Sequence, residues 1–527
     1  SIRFYWLARS AKDMSSENRK ASPSFSQPEK PQIFYNAVIL LLPFDKKSTM
    51  SQTNFDMVIF GATGDLSMRK LLPSLYQAHA AGLLHPDARI LGVSRSPFDT
   101  AQFLAKMETD SKIHIKQNFS DALWTSFTAR IQYLPLNVTE PAHFAKLGEV
   151  VKARKATDNV IIYLSTAPKF FAPACENLAA VGLNADNVRI VLEKPLGTDL
   201  ASSQAINADV ARFFKEEQVY RIDHYLGKES LQNVLPLRFG NVFLEPIWNK
   251  DFVQSVQITI AEQLGVEERG EFYDITGALR DMVQNHLMQM LCFVAMERPK
   301  SLGADDVRDE KLKVVAALKP MTSADVDNNV VRGQYTASGS LKGYLQEHNV
   351  PVDSRTETYV AIRAEVDTPR WQGVPFYLRT GKRMAARSAQ IVLNFKPEAG
   401  SLFGNHANRL IISLQPDETV SLKWLVKQVG SGLNVAPAEM VLNMGNAVVG
   451  RRAEAYELLL REVIDGRLAL FNRRDELEKA WEWVMPILDN WATSPIAPHG
   501  YAADSWGPEA ARALLARDGN LWVEEQG

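Results

Sequence analysis

Apolar, β-branched runs alternate with helical stretches from residue 56 onward, and this alternation constrains the fold more than any other feature of the chain. Each run is long enough for a buried strand and ends in turn-forming residues. Strands that are buried on both faces and joined by helices form parallel sheets. We therefore predict a doubly wound α/β unit over residues 52–235, with the strands DMVIFG, ARILGVSRS, IQYLPLNV, NVIIYLSTAP and VRIVLEKPLG.

A different pattern begins after residue 235. Six segments carry apolar residues at every second position, which is typical of antiparallel strands with one covered face. Residues 236–527 are therefore predicted to form an α+β domain with a large, mainly antiparallel sheet. Its strands are SVQITIAEQ, TYVAIRAEVDT, VPFYLRTGK, AQIVLNFK, RLIISLQPD and TVSLKWLVK, and its covering helices are TGALRDMVQNHLMQMLCFVAME and RRDELEKAWEWVMPIL.

Residues 1–51 fit neither pattern. They are mostly polar and contain prolines, and their one apolar run, NAVILLLPF, is far shorter than the ~20 residues that cross a bilayer. We interpret residues 1–51 as a disordered or mis-assigned extension, with Met50 as a plausible true start, and a targeting peptide is the alternative. Deletion of residues 1–49 is accordingly expected to leave activity unchanged.

Charge and cysteine usage exclude several classes of protein. A formal net charge of −2 provides no overall basic field, so nucleic acid is not an expected partner. Cys175 and Cys292 are far apart and lack the CxxC or His-Cys spacing of zinc sites. We therefore expect no metal and no disulfide scaffold, and we expect the reducing conditions of the cytoplasm.

The turn GATGDLS, residues 61–67, lies between the first predicted strand and its helix. Glycines at this place let backbone amides approach a pyrophosphate at a helix N-terminus, as in Rossmann-like domains. A purely structural turn is the alternative, because the full G-x-G-x-x-G pattern is not present. The expected cofactor contacts of this turn are Gly61, Thr63, Gly64, Asp65 and Leu66.

The end of the second predicted strand indicates which dinucleotide is bound. An NAD site places an acid there for the ribose hydroxyl, whereas this strand ends in Ser94-Arg95-Ser96. A guanidinium group would pair with a 2′-phosphate, so Arg95 favours NADP over NAD. Lys70, on the helix that follows the glycine turn, is a candidate helper, and a surface-loop arginine is the alternative interpretation of Arg95.

The fifth predicted strand ends in Glu-Lys-Pro, with Lys194 beyond its carboxyl end, where ligands of parallel sheets bind. RIDHYLGKES follows at residues 221–230. If residues 224–228 begin a helix, His224 and Lys228 share a face and can hold a dianionic phosphate. Asp223 then points elsewhere and can act on a second histidine. The alternative interpretation is a helix face that contacts only solvent.

That second histidine is predicted to be His286, which borders an apolar helical stripe in RDMVQNHLMQML. A buried core histidine with a satisfied hydrogen bond is the alternative interpretation. Asp281 lies five residues earlier, ~140° away around an ideal α-helix, so we do not expect it to contact His286. Both side chains can still line one cavity.

In order along the chain, several motifs resemble the glucose-6-phosphate dehydrogenase family over residues 55 to about 510. This resemblance implies hydride transfer from the anomeric carbon of glucose 6-phosphate to NADP, giving 6-phosphogluconolactone. It also implies a homodimer or homotetramer. The motifs are GATGDLSMRKLLP, VLEKPLG, YRIDHYLGKE, LRFGN, PIWN, RDMVQNHLMQMLC, FYLRTGK and SWGPEAA.

The resemblance also implies roles for individual residues. His286 resembles the general base, and Asp223 resembles the carboxylate that orients it. Lys194 resembles a lysine that reaches both substrate and cofactor. Further substrate contacts are implied for His224, Tyr225, Lys228, Glu262, Asp281, Lys382 and Arg387, and a backbone contact to the cofactor is implied for Asn137 and Val138.

One departure from the family pattern concerns a second, structural NADP. Animal-type members hold it partly through basic residues, where this chain has Ser388, Val392 and Ser413. We therefore expect a bacterial-type enzyme without that second NADP. Two other functions remain as alternatives: a different sugar oxidoreductase with a Rossmann domain and an open sheet, and a non-catalytic NADP sensor.

Overall fold

In the computed structural model, which describes residues 53–115, 117–154, 158–447 and 451–525, six parallel strands form the first sheet. The predicted doubly wound unit is confirmed. The five predicted strands are present, and a short sixth strand follows them. The strands are β1 (Phe55–Phe60), β2 (Arg89–Ser94), β3 (Ile131–Pro135), β4 (Asn159–Leu164), β5 (Val188–Leu192) and β6 (Val219–Arg221).

The strand order β3-β2-β1-β4-β5-β6 reverses between β1 and β4. Alternate residues of β1 enter two different cores: Val58 and Phe60 pack on one face, and Met57 and Ile59 on the other. The carboxyl ends of β1 and β4 therefore border the crevice in which open parallel sheets bind ligands. The associated helices are α1 (Leu72–Ala80), α2 (Thr100–Asp110), α3 (Asp121–Thr128), α4 (Pro141–Lys152), α5 (Phe171–Ala180) and α6 (Leu200–Ala211).

Nine strands form the second sheet, in the order β14-β13-β12-β11-β7-β10-β9-β8-β15. The sheet is mainly antiparallel as predicted, although β10 pairs with β7 and β15 pairs with β8 in parallel. Three of these strands were missed in the sequence: β8, β14 and β15. The bounds are β7 (Val253–Ala261), β8 (Val330–Thr336), β9 (Tyr359–Glu365), β10 (Pro375–Gly381), β11 (Ser388–Phe395), β12 (Arg409–Gln415), β13 (Thr419–Lys427), β14 (Val435–Asn443) and β15 (His499–Ala502).

Ten further α-helices follow β6 in the described residues, and one of the two predicted covering stretches, RRDELEKAWEWVMPIL, corresponds to α15. They are α7 (Glu229–Gln232), α8 (Val234–Phe239), α9 (Gly270–Ala278), α10 (Met288–Ala295), α11 (Ala304–Ala316), α12 (Ser323–Asn329), α13 (Met444–Ala447), α14 (Ala455–Asp465), α15 (Arg474–Thr493) and α16 (Glu509–Ala516).

The stretch predicted as one helix over residues 276–297 is instead broken. Gly277 has a φ of 71°, and the chain restarts as a π-helix over Leu279–Leu287 before α10. The buried Glu357 causes the restart, because its carboxylate accepts a hydrogen bond from the Leu279 amide at 3.0 Å. We call Leu279–Leu287 the π segment.

No helix of the described residues is long and apolar enough to cross a membrane. Cys175 and Cys292 are both buried and form no disulfide with each other. The interpretation of residues 1–51 and of Met50 lies outside the described residues.

Candidate active site

Strands β5 and β6 bring the first set of predicted site residues to one edge of the parallel sheet. Lys194 follows β5 by two positions, and Asp223 follows β6 by two positions. Glu193, which the sequence analysis missed as a site residue, is buried and accepts a hydrogen bond from the Tyr163 hydroxyl at 2.5 Å. This bond fixes the residue directly before Lys194.

A buried carboxylate–imidazole pair lies at the centre of the site. His286 Nδ1 is 2.6 Å from Asp223 Oδ1, and both side chains are almost fully buried. Burial disfavours an ionised Asp223, but the adjacent His286 and His224 rings hold the pKa of the carboxyl below its ordinary value. With Asp223 ionised, the His286 proton resides on Nδ1, which leaves the Nε2 lone pair to act as an acceptor.

Lys194 links this pair to a second carboxylate. Its Nζ lies 3.1 Å from His286 Nε2 and 3.2 Å from Asp281 Oδ1. Burial lowers the pKa of His286, and Lys194 lowers it further, whereas Asp223 raises it. Burial opposes ionisation of Asp281, but Lys194 and Lys382 bring the pKa of its carboxyl down to about 2.

Asp281 and His286 lie in one site, as the sequence analysis allowed, and each contacts Lys194 Nζ. The separation of ~140° assumed an α-helix, whereas this segment is a π-helix. The π segment forms hydrogen bonds between residues five apart, so residues 281 and 286 point in more similar directions than they would in an α-helix. Lys194 contacts both side chains for this reason. No local sequence signal for a π-helix was recognised.

The predicted helix at residues 224–228 is also wrong, because these residues form two overlapping turns. The Leu226 amide donates to Asp223 O and the Lys228 amide donates to Tyr225 O, both at 3.0 Å. Helix α7 starts only at Glu229. The turns pack against α14, where a Cβ on Gly227 would lie 2.6 Å from the carbonyl oxygen of Ala455. A glycine is therefore required at this close approach.

Two cations converge beside these turns. With the Gln415 amide oriented so that its oxygen faces them, that oxygen accepts from Lys228 Nζ at 2.7 Å and from Arg387 at 3.2 Å. Burial, followed by the nearby Arg387, lowers the pKa of Lys228 to about 8. Gln415 was missed in the sequence, since only the β11–β12 register, which pairs Ala389 with Gln415, brings it here.

Aromatic rings and a second ion pair complete the candidate active site. The Tyr225 ring stacks on His286 with centroids 4.5 Å apart, and the His224 ring meets His286 edge-on at 4.4 Å. Lys382 Nζ lies 2.7 Å from Glu262 Oε2. His224 and Tyr225 thus contact His286 directly. Lys382 lies near enough to Asp281 to lower the pKa of its carboxyl.

The glycine turn after β1 has the shape of a dinucleotide site. Gly61 has a φ of 73°, and a Cβ there would lie 2.2 Å from Ser165 O, so the turn requires glycine. Ser67 Oγ donates to Gly61 O at 3.0 Å and holds the turn closed. Residues 63–66 include the first turn of the following helix, whose leading amides have no acceptor within the helix.

Arg95 follows β2 at the same edge of the sheet. It is exposed, and it makes no hydrogen bond or ion pair with the residues that the structure describes. Thr63 Oγ1 lies 3.0 Å from Ser94 Oγ, which ties the glycine turn to the residue before Arg95. Arg95 is therefore positioned beside the turn with its charge unpaired.

Asn137 and Val138 follow β3 at the edge of the sheet, and part of their backbone is already engaged. The Asn137 amide donates to His143 Nδ1 at 3.0 Å, and Val138 O accepts from Asn177 at 3.1 Å. A cofactor contact here is left to the Asn137 carbonyl, which already accepts from Glu140, and to the Val138 amide.

Two family models match nearly the whole described chain. The model of the glucose-6-phosphate dehydrogenase NAD-binding domain matches residues 58–233, and the model of the C-terminal domain matches residues 235–523. The chain belongs to the glucose-6-phosphate dehydrogenase family. The resemblance found in the sequence is confirmed.

Relatives in this family extend over most of the chain. Glucose-6-phosphate 1-dehydrogenase of Mycolicibacterium smegmatis is 45% identical over 479 residues, which are 89% of this chain and 97% of the relative. The enzyme of Rhizobium meliloti is 44% identical over the same shares of the two chains. Both relatives are bacterial, in agreement with the bacterial-type assignment.

Solved structures of family members have the same fold. A glucose-6-phosphate dehydrogenase in complex with its substrate glucose-6-phosphate superposes with a TM-score of 0.84 at 34% identity, covering 90% of this chain and all of that one. Glucose-6-phosphate 1-dehydrogenase from Mycobacterium avium superposes with a TM-score of 0.80, also at 34% identity, covering 90% and 99%.

Metal ligation is the other chemistry that the central group resembles. Asp223, His224 and His286 each place a ligand atom within 4.8 Å of the others. The short bond between His286 Nδ1 and Asp223 Oδ1 engages one nitrogen of the ring with one oxygen of the carboxylate. Such a bond is typical of an acid–base pair, in which the carboxylate orients the imidazole.

Proposed function

We propose that this chain oxidises glucose 6-phosphate at its anomeric carbon to 6-phosphogluconolactone, with NADP as the hydride acceptor. The observation that carries the proposal is the buried Asp223–His286 pair, with the His286 Nε2 acceptor directed towards Lys194. Oxidation of a hemiacetal requires a base at the hydroxyl as hydride leaves the carbon. The pair supplies that base.

In the proposed reaction, His286 Nε2 takes the proton of the anomeric hydroxyl. The C1–O bond becomes a carbonyl, and C1 loses hydride to the nicotinamide, which is the chemistry that NADP supplies when bound. The imidazolium that forms is stabilised by the Asp223 carboxylate at 2.6 Å. Lys194 Nζ, which contacts His286 Nε2 in this structure, would move to the substrate oxygen.

Lys228 and Arg387 are proposed to bind the 6-phosphate. Both cations reach one amide oxygen of Gln415, which a phosphate oxygen can replace with a stronger, charge-assisted contact. His224 and Tyr225 flank Lys228, with Lys228 Nζ 4.8 Å above the Tyr225 ring. Glu262, Asp281 and Lys382 are proposed to bind sugar hydroxyls. Asp281 contacts Lys194, and Lys382 pairs with Glu262. Both lysines lower the pKa of the Asp281 carboxyl.

NADP is proposed to bind at the carboxyl edge of β1 and β2. The glycine turn and the first amides of the following helix suit a pyrophosphate. Arg95, which is exposed and has no partner among the residues that the structure describes, suits a 2′-phosphate. Residues 52–235 would then form the cofactor domain, and residues 236–527 would supply the substrate residues of the π segment and the second sheet.

An oligomer is proposed from the last two strands of the second sheet. Side chains on one face of the β13–β14 hairpin are exposed and apolar, and β14 is the edge strand of the sheet. Such an edge favours association with another chain. We therefore propose that the chain forms a homodimer or homotetramer. We also propose that it works in the cytoplasm. The exposed side chains are Trp424, Val426, Met440 and Leu442.

An absorbance assay of NADPH formation tests the proposed reaction. We expect turnover with glucose 6-phosphate and NADP, much less with free glucose, and no loss after EDTA treatment.

Arg95→Ala should raise KM for NADP far more than KM for NAD, while the control variant Arg69→Ala should affect both equally. Binding of NADP without turnover of any sugar phosphate would instead indicate a sensor, and loss of activity with EDTA would indicate a metal site.

A further inference from the structure

A groove of about 1040 Å³ lies outside the candidate active site. Helices α7, α8 and α14 and the segment before α11 line it, and it includes neither the glycine turn nor the Asp223–His286 pair. Two sets of side chains give it a distinct character, one cationic and one apolar. Nothing in the proposed reaction uses either set.

Five cations and two acids line the groove, a balance of three positive charges. Within the part of the chain that the structure describes, Arg298, Lys300 and Arg461 make no ion pair or hydrogen bond. The other two cations, Arg451 and Arg452, are paired with Glu457 and Glu418, respectively. Of the two lining acids, Glu462 is already bound by Arg467, and the second is Glu229.

Three unpaired cations around one concavity favour a ligand with several negative charges. Guanidinium groups bind phosphate oxygens through two parallel hydrogen bonds, so two arginines and a lysine suit a chain of phosphates. A single small anion would satisfy only part of this charge.

Most of the remaining lining is apolar and does not suit inorganic phosphate alone. Leu302 is 76% exposed, and the Phe239 ring is partly exposed. Covering such surface excludes water and adds to affinity, which favours a ligand with a flat, weakly polar body next to its phosphates. The apolar lining side chains are Leu235, Phe239, Phe293, Leu302, Leu458 and Leu470.

We propose that this groove binds a nucleoside polyphosphate, with the phosphates on Arg298, Lys300 and Arg461 and the nucleoside on the apolar side chains. This proposal is separate from the oxidation of glucose 6-phosphate and does not rest on it. The groove also adjoins the phosphate site, because α7, whose Glu229 and Gln232 line the groove, begins directly after Lys228.

Calorimetric titration of the full-length protein with ATP, tripolyphosphate and adenosine tests the proposal. Because ATP can also enter the dinucleotide site, two variants are compared: Lys300→Ala/Arg461→Ala in the groove and Arg95→Ala at the glycine turn. The matched control is Lys146→Ala/Arg212→Ala, two exposed cations outside the groove. NADPH binding is followed by fluorescence in all four proteins.

We expect the groove variant to bind ATP at least about tenfold more weakly, through loss of two charge-assisted contacts. NADPH binding and kcat should be unchanged in that variant. Arg95→Ala should instead weaken NADPH binding and leave ATP binding in the groove unchanged. In the wild type, ATP should bind more tightly than either tripolyphosphate or adenosine. These results together support the site.

Three outcomes would overturn the proposal. One is ATP binding that the groove variant does not weaken. Another is equal affinity for tripolyphosphate and ATP, which would remove the role of the apolar side chains. The third is a change of oligomeric state in the groove variant by light scattering, which would mean that a second copy of this chain covers the groove. Inactivity towards glucose 6-phosphate would affect only the proposed reaction.

Discussion

At the scale of single residues, the site depends on how each charge is paired. The Asp223 carboxylate is buried against His286, and the Lys228 ammonium is partly buried near another cation. The first arrangement favours proton uptake by an imidazole, and the second favours binding of an anion. Separate substitutions can distinguish these two roles.

Replacement of His286 should remove the proposed base without preventing substrate binding. We expect His286→Asn to lower kcat by ~10²–10⁴ with little change in affinity for glucose 6-phosphate. Steady-state kinetics and equilibrium binding measure the two effects separately. His114→Asn, at a histidine outside the site, is the control. Near-normal kcat in His286→Asn would show that this histidine is only a core residue.

The pH dependence tests the pair. Burial places the pKa of His286 below 6.5, and Asp223 raises that pKa. The unprotonated base is present above its pKa, so kcat/KM of the wild type should fall only as pH drops below 6.5. In Asp223→Asn, the fall of the remaining kcat/KM should occur at a still lower pH, because the negative charge that raises the pKa of His286 is gone. A fall of kcat/KM that moves to higher pH in Asp223→Asn would contradict the assignment of His286 as the base.

Lys228 should matter only for the phosphorylated sugar. Charged hydrogen bonds are worth roughly 1.5–3 kcal/mol, so Lys228→Ala should lower kcat/KM for glucose 6-phosphate about ten- to hundredfold. Efficiency with free glucose should barely change. The pKa of Lys228 is lowered to about 8. In the wild type, KM for glucose 6-phosphate should therefore rise above pH 8, and this rise should be absent in Lys228→Ala. An equal fall with both sugars would reject the phosphate role.

At the scale of elements, two local irregularities bring the site together. The π segment places Asp281 and His286 on one side, and the turns at residues 224–227 let Lys228 face Arg387. Both irregularities depend on close packing against distant segments, Glu357 in one case and α14 in the other.

Gly227→Ala tests the contact between the turns and α14. The new Cβ would meet Ala455 O at 2.6 Å and Leu459 at 2.9 Å, and overpacking of this kind costs about 1–3 kcal/mol. We expect a lower urea midpoint and a higher KM for glucose 6-phosphate. Gly303→Ala is the control, because its Cβ would approach only the end of the Ser301 side chain. An unchanged midpoint and KM would mean that α14 does not hold the turns.

At the scale of the whole molecule, the exposed edge of the second sheet predicts assembly. Trp424 and Met440 remain 45% and 60% exposed on the same face of the β13–β14 hairpin. We expect Trp424→Glu/Met440→Glu to release monomers, because burial of two charges opposes association. Light scattering measures the mass. Leu402→Glu, at an exposed leucine outside the hairpin, should not change it, and an unchanged mass in the double variant would exclude this interface.

Local pattern was sufficient to predict the class of both sheets and most of their strands, because strand and helix periodicity depends on neighbours along the chain. It missed β6, β8, β14 and β15. Local motifs marked His286, Asp223 and Lys228 as candidates, and the family resemblance implied their roles, which stay predictions. Local pattern failed where distant groups decide the backbone. The carboxylate of Glu357 begins the π segment, and the β11–β12 register brings Gln415 to Lys228. These contacts join residues far apart in sequence, so they exist only once the chain is packed.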